Sequence, residues 1–366
     1  MATVPSAVAQ LPYHDKIAAA GCPEIARGKV RHRFRVPPGM LHSGFPKEIP
    51  PSSNVELMVT TDRISAYDHV LNGLVPGKGT VLNCLPIWWS QQPRFPRNHL
   101  VGYGYETMRQ LFGSVLTPME LNDLTARSVL VQTLPAVKVE AICREYITGS
   151  GWRDYVTSGK TAMYGYNLPG NLQDGSHLGD ILWTPSTKED TGHDITINHA
   201  KLQELLGTDL ADRIRDESIA LFRRSQAIAN KAGLILADTK YEWAILPDGT
   251  LILIDEWNTT DSSRWWKMVE WQAALAAGKT PPSHDKEGAR TWCRNHQTSW
   301  GIGIDRLDPT NPIHVAYMQS LVIADAPGGQ QMLADTSSRY CGLFDDLTDL
   351  TVEEFCIETL GIPLAA

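Results

Sequence analysis

The sequence predicts an α+β fold, and three stretches carry that expectation. The first runs from Gly233 to Glu256, where two apolar strands flank a Pro247-Asp-Gly-Thr250 turn and read as an antiparallel hairpin. The second is Gly28–Val36, where Lys29, Arg31, Arg33 and Arg35 alternate with Val30, Phe34 and Val36 in the period of a half-buried strand. The third is Leu210–Ala232, which repeats Ile214, Leu221 and Ile228 on one face, fills the other with Asp and Arg, and stops at Gly233.

Read in order, residues 1–20 form a loose arm. The strand over 28–36 ends at Pro37-Pro38-Gly39, and Pro46–Ser53 is a loop. Val55–Thr60 is a second apolar strand running into Thr61–Asp68. A small β-rich domain over 21–110 follows from these pieces. Leu134–Ile147 is again strand-like, Gly149-Ser150-Gly151 is a tight turn, and Thr157–Thr184, rich in Gly, Asn and Pro, reads as loops. After the helix and hairpin, Trp265–Ala277 is a helix broken by Pro281-Pro282. A mixed α/β domain over 111–295 results. Residues 296–366 form a C-terminal extension with helical stretches around Pro312–Ala324 and Val352–Leu360. A chain of 366 residues suits two domains, or one large domain with an appendage.

Composition narrows the function classes. The net charge of −8 excludes a general attraction to nucleic acid, so an anionic ligand needs a local cluster of Arg and Lys. The six cysteines are scattered without a Cys-x-x-Cys, which argues against a zinc site and against a disulfide framework. Met1–Asp15 lacks the basic and apolar regions of a signal peptide. No apolar run is long enough for a membrane span. A cytoplasmic protein is expected.

The hairpin carries the chemistry. Side chains alternate along a strand, so Lys240 and Glu242 share a face. With Pro247–Thr250 as the loop, Glu242 falls opposite Asp255. Like charges so placed repel, and a bound cation resolves the conflict. Hard oxygen ligands suit Mg²⁺, which tends to bring phosphate with it. The alternative is an exposed hairpin whose charges are solvated. Arg27-Gly28-Lys29-Val30-Arg31 sets cations beside a glycine where a phosphate could approach, or is a basic surface strand. Thr61-Asp-Arg-Ile-Ser-Ala-Tyr-Asp68 and Pro76-Gly-Lys-Gly79 read first as turns. Arg144 with Gly149 and Ser150 forms a possible anion site, and Asp261-Ser-Ser-Arg264 adds an arginine beside two hydroxyls. Thr184-Pro-Ser-Thr-Lys188 is a polar turn, and His193 beyond it reads as a base or, preferably, a structural donor.

The joint order of these motifs resembles the SAICAR synthetase family, ATP-dependent ligases of purine biosynthesis that join aspartate to the carboxylate of carboxyaminoimidazole ribotide. The matching pieces are Gly28-Lys-Val-Arg31, Thr61–Asp68, Pro76–Gly79, Arg97-Asn-His-Leu100, Tyr146-Ile-Thr-Gly-Ser-Gly-Trp152, Thr184–Lys188, Leu236-Ala-Asp-Thr-Lys-Tyr-Glu242, Asp255-Glu256 and Asp261–Arg264, over about residues 25–295. The resemblance implies a nucleotide domain like those of protein kinases and ATP-grasp enzymes. It implies catalytic roles for Lys240, Asp238 and Lys188. It implies ATP binding by Gly28, Lys29, Arg31, Glu242 and Asp255, with Glu242 and Asp255 holding Mg²⁺. It implies substrate binding by Arg144, Gly149, Ser150, Ser186, Asp261, Ser263 and Arg264. The expected partners are an azole ribotide and an amino acid, with neither nucleic acid nor membrane, in a monomer or small homo-oligomer.

Departures from the family pattern stand at His32 for Asp, Glu145 for Gly, Ile195-Thr196 for Glu-Asn, and Trp257-Asn258-Thr259-Thr260 for Val-Leu-Thr-Pro. They keep open a specialised relative with a different amine or azole acid. A small-molecule kinase, or a nucleotide-binding protein without catalysis, is the alternative of another class.

Overall fold

A computed structural model describes residues 8–41, 54–188 and 195–364. The expected loop at Pro46–Ser53 lies outside the described residues, as do His193 and Asp194. The strands in chain order are β1 (Glu24–Arg27), β2 (Arg31–Val36), β3 (Val55–Thr60), β4 (Arg63–Ala66), β5 (His69–Leu74), β6 (Leu100–Tyr103), β7 (Ser128–Gln132), β8 (Val139–Tyr146), β9 (Ala162–Met163), β10 (Tyr166–Asn167), β11 (His177–Trp183), β12 (Ser186–Thr187), β13 (Leu234–Ile245), β14 (Leu251–Ile254) and β15 (Ser263–Lys267). The helices are α1 (His14–Ala19), α2 (Lys78–Ser90), α3 (Tyr105–Phe112), α4 (Pro118–Arg127), α5 (Gly149–Thr157), α6 (His199–Leu206), α7 (Thr208–Lys231), α8 (Met268–Ala276), α9 (Glu287–Asn295), α10 (Pro312–Ser320), α11 (Gly329–Thr348) and α12 (Val352–Glu358). The fold is α+β, as the sequence predicts.

Two compact units emerge, and neither is continuous in sequence. The first takes Met1–Trp88, His99–Thr133 and Asp285–Ala366, the second Trp89–Asn98 and Leu134–His284. The expected boundaries at 110 and 295 therefore move, and the C-terminal extension joins the first unit instead of standing apart.

The first unit holds an antiparallel five-stranded sheet in the order β1-β2-β3-β7-β6. In β2 the side chains of His32, Phe34 and Val36 point inward, while Arg33 and Arg35 are exposed, as the alternation requires. The central strand β3 is buried along its whole length. Apolar residues of α3 and α4, among them Phe112 and Leu124, close one core with Phe34, Leu57 and Leu130. Leu11, Tyr13 and Ile17 belong to that same core. Residues 8–20 are thus no loose arm. Burial of three apolar side chains, with Tyr13 Oη donating to Asp123 at 2.6 Å, ties the segment down. A second core sets Ile64, Ala66, Leu71 and Val75 of the β4–β5 ribbon and its exit against residues from the C-terminal 80 or so positions, including Ile304, Met318, Ile323 and Leu333.

The second unit is built on an antiparallel sheet ordered β11-β8-β13-β14, with β12 also paired to β8 and β15 to β13. The helix α7 has an apolar stripe of Ile214, Leu221 and Phe222. Trp243 Nε1 donates to Ser218 Oγ of α7 at 3.0 Å. Three expectations change here. Gly149-Ser150-Gly151 opens α5 and is not a free-standing turn. Residues 157–184 contain β9, β10 and β11. Trp265 and Trp266 sit in β15, and the helix begins only at Met268. Both tryptophans are buried, and cross-strand pairing with Leu236 and Ile235 overrides helix propensity.

Candidate functional site

In the second unit one face of the sheet gathers most of the expected site residues. In β13, Asp238, Lys240 and Glu242 point to this face. Asp238 lies opposite Arg144 on β8 and opposite Arg264 on β15. Directly opposed residues share a face, so both guanidiniums reach one carboxylate. Arg144 Nη1 donates to Asp238 Oδ2 at 2.5 Å, and Arg264 Nη1 donates to the same oxygen at 2.6 Å. Arg144 is further fixed by Thr184 Oγ1 at 3.0 Å and Ser150 Oγ at 3.3 Å. A buried charge is tolerated only when paired and hydrogen-bonded, and Arg144 and Asp238 are each about 4% exposed. Two cations against one anion leave the clamp with one positive charge. Gly149, at the first position of α5, has φ +57° and packs on this clamp. A Cβ there would stand 2.1 Å from Arg264 Nη2, so both the backbone and the close approach demand glycine.

Further along the same face lies a lysine–carboxylate cluster. The hairpin register differs by one residue from the expected one: Glu242 pairs with Ile254, and Asp255 lies beyond the end of β14. A one-residue slip should send Asp255 to the other face. It does not, because Asp255 adopts φ +63°, in the left-handed region, and leaves the strand alternation. Its Oδ2 comes within 3.5 Å of Lys240 Nζ. Glu242 Oε1 accepts from Lys240 Nζ at 2.5 Å, and its Oε2 accepts from Lys188 Nζ. Glu140 of β8 brings Oε1 to 3.3 Å from Lys240, while its Oε2 accepts from Ser186 Oγ at 3.3 Å. The β8–β13 register runs through Lys240↔Ile142 and Tyr241↔Ala141. Its next step sets Glu242 opposite Glu140. The opposed carboxylates are therefore Glu242 and Glu140, and Lys240 relieves their repulsion.

Burial alone would lower the Lys240 pKa, but Asp255, Glu242 and Glu140 outweigh it and raise it well above the ordinary lysine value. The three carboxylates thus favour the charged ammonium form of Lys240. Glu140 was missed in the sequence because it sits in an unremarkable strand pattern. The available signal was its place four residues before Arg144 on the same strand face.

Several expected residues are placed differently. Ser263 points away from this face: its hydroxyl pairs with Thr239 Oγ1 at 2.6 Å, and the residue is 6% exposed. It supports the sheet and does not face the clamp. The Asp261 main-chain N–H is taken by Thr259 Oγ1 in the turn before β15. Trp257 and Asn258 are buried. Trp257 packs on Phe95 with ring centroids 5.8 Å apart, and Asn258 bridges Tyr241 Oη and Ser225 Oγ. These two departures from the family pattern therefore lie in the interior and not on the site face. Glu145 is likewise bound to Gln226 on the α7 side. Ile195 alone stays open, 61% exposed, beside Thr187.

Gly28, Lys29 and Arg31 belong to the first unit. Gly28 N–H donates to Arg31 O at 2.8 Å and closes the turn between β1 and β2. A Cβ on Gly28 would meet only an ordinary 3.5 Å contact, so the protein itself does not require glycine there. Lys29 Nζ pairs with Asp68 at 2.5 Å, both side chains being half exposed. His32 is buried and hydrogen-bonded to Glu24 at 2.6 Å. Asp62 accepts from Val8 N, Gly79 N and Arg127 Nη1 in the buried interior, which accounts for two of the motif runs structurally.

Among the described residues no group of three or more His, Cys, Asp or Glu forms a protein-only metal cage. The donor set fits a different mode. Hard carboxylate oxygens with ammonium counter-ions suit Mg²⁺ that arrives with phosphate oxygens and water and takes one or two carboxylates.

The SAICAR synthetase profile matches residues 25–307. A phosphoribosylaminoimidazole-succinocarboxamide synthase of Leptothrix cholodnii is 38% identical over 272 residues, 74% of this chain and 82% of the relative. One from Thermobifida fusca is 34% identical over 321 residues, 86% of this chain and 94% of that one. Among solved structures, a SAICAR synthase from Saccharomyces cerevisiae complexed with SAICAR superposes with TM-score 0.68 at 28% identity, covering 95% of this chain and 99% of the other.

Proposed function

The chain belongs to the SAICAR synthetase family, and from that premise we infer that it joins the carboxylate of carboxyaminoimidazole ribotide to the amine of aspartate at the expense of ATP. One observation carries the reading. A single sheet face presents a twin-arginine clamp at Asp238 and a lysine–carboxylate cluster at Lys240, two residues apart on one strand. That spacing, roughly 6.6 Å, fits a substrate with a phosphate at one end and a carboxylate at the other.

A carboxylate is a poor electrophile toward amines at neutral pH. It is activated when one of its oxygens attacks the γ-phosphorus of ATP, the bond to the bridging oxygen breaks, and ADP leaves. The aspartate nitrogen then attacks the carbonyl carbon of the acyl phosphate, the carbon–oxygen bond to phosphate breaks, and nitrogen gives up a proton. Lys240, held protonated, opposes the negative charge that builds on the transferring group. Lys188, paired with Glu242 and 37% exposed, would meet the acidic substrates. Arg264 and Arg144, with Ser150 and the first N–H groups of α5, would take the 5′-phosphate. Lys29 beside Gly28 would meet ATP phosphate oxygens. Mg²⁺, held by Glu242 and Asp255, would supply neutralising charge to the nucleotide phosphates.

Phosphate release from ATP, followed with the azole acid ribotide across a panel of amines, tests the reading. Aspartate is expected to give phosphate and the succinocarboxamide together. Release driven only by another amine would displace it. Asp255→Asn is expected to weaken Mg²⁺–ATP binding at least about tenfold while metal-free nucleotide binding changes little. Titration calorimetry with and without Mg²⁺ checks this, and equal loss in both would remove the metal assignment.

A further inference from the structure

Three carboxylates hold Lys240, and they are not equivalent. Glu242 gives one oxygen to Lys240 and the other to Lys188. Asp255, on its left-handed residue, stands 3.5 Å away and is 29% exposed. Glu140 gives one oxygen to Lys240 and the other to a neutral hydroxyl, Ser186 Oγ, on a residue only 3% exposed. Ser186 is the direct β12 partner of Glu140, so the strand ladder itself sets that hydroxyl against the carboxylate.

We propose that Glu140 is a positioning residue for Lys240, the carboxylate that keeps the ammonium in place while Glu242 and Asp255 engage a Mg²⁺–nucleotide. The proposal rests on the reading of those two residues as metal-binding groups. A lysine stem has four flexible carbons and a point charge at its tip. Nothing in the stem fixes the tip, so the anions around it must. Carboxylate oxygens turned to a divalent cation attract a nearby ammonium less, and the two cations repel each other. Of the three anchors, two would then loosen together. Glu140 comes from a different strand, β8, and its remaining oxygen is tied to a hydroxyl that has no charge for the metal to repel. It stays on Lys240 through the nucleotide-bound state, which is the state in which the azole carboxylate must meet that ammonium.

Calorimetric binding of the azole acid ribotide distinguishes this role. The acid is titrated into wild type and Glu140→Gln, each with and without Mg²⁺ and a non-hydrolysable ATP analogue. Without them, Glu242 and Asp255 still hold Lys240, and the two proteins are expected to agree within about twofold. With them, the variant is expected to bind the acid about tenfold more weakly, some 1.4 kcal/mol. Equal weakening in both conditions, as a merely structural role would give, or no weakening in either, overturns the proposal. Should Glu140→Gln fail to fold, Glu140→Asp keeps the charge at shorter reach. It is expected to show the same nucleotide-dependent loss to a smaller degree, and a uniform loss overturns the proposal. Asp255→Asn, titrated with the Mg²⁺–analogue alone, isolates the underlying reading: a variant that keeps wild-type metal dependence refutes the metal assignment, whatever Glu140 does.

Discussion

Residue by residue, the clamp around Asp238 separates groups that build the site from groups that face a ligand. Arg144 spends its donors on Asp238, Thr184 and Ser150 and is nearly buried. Removing it would leave a network of buried polar groups unpaired. Arg264 shares the same carboxylate oxygen but is 17% exposed, with Gly149 pressed against its guanidinium. Arg264→Ala is therefore the cleaner probe, because Arg144 still neutralises Asp238. Loss of one charge-assisted partner costs about 1.5–3 kcal/mol, or roughly ten- to a hundredfold in affinity. The phosphorylated azole acid is expected to bind that much more weakly to the variant, and the dephosphorylated acid to bind both proteins alike. A variant that weakens both acids equally would show that the arginine holds something other than the phosphate.

Among the elements, strand periodicity was legible where one face is buried and turns are short, as in β2 and β13. The α7 stripe and its Gly233 stop were legible for the same reason. The hairpin register was not, because the left-handed Asp255 and the early end of β14 restore by backbone geometry what a straight strand would forbid. Nor was β15, whose tryptophans suit either a helix or a buried strand until their cross-strand partners are known. The arginines, Lys240 and Glu242 could be found from residue type and alternation. The inward turn of Ser263 could not, since it depends on which strands become neighbours, and Glu140 left only the signal of its four-residue spacing from Arg144 along one strand face. Another non-local cluster ties α1 to β1 and β2. Glu24 accepts from Arg27, His14 and His32. The Arg27 guanidinium, then the two histidines, hold its carboxyl down at about 2, below its ordinary 4.5. A lowered carboxylate contributes stability above its ordinary value and loses it as pH falls through the folded one. Burial lowers His32 as well, so its protonation adds to acid lability. Glu24→Gln is expected to melt below wild type at pH 6, with the gap closing as pH falls from about 4.5 to about 2. A gap that stays constant over that range would mean that Glu24 acts by packing and not by charge.

At the level of the whole molecule, the chain folds as two units each assembled from separated stretches of sequence. The C-terminal extension, which had no legible role, supplies half of a core. Ile304, Leu307, Met318, Ile323, Met332 and Leu333 pack with Ile64, Ala66, Leu71 and Val75 of the β4–β5 ribbon. Gly73 records the closeness, since a Cβ there would stand 3.0 Å from Ile323 Cβ. Fully burying a large apolar side chain is worth about 1.5–3 kcal/mol, so these six contribute on the order of 10 kcal/mol. That is comparable with the whole net stability of a domain, about 5–15 kcal/mol. Deleting residues 296–366 should therefore unfold the first unit instead of trimming an appendage. The second unit ends at His284 and keeps its own cores around Trp266 and Ile252. Hydrogen exchange on the truncated chain is the measurement. Amides of β3 to β5 are expected to lose protection by several orders of magnitude, while those of β8 and β13 keep most of theirs. Retained protection across Val55–Leu74 would show that the ribbon does not need the extension.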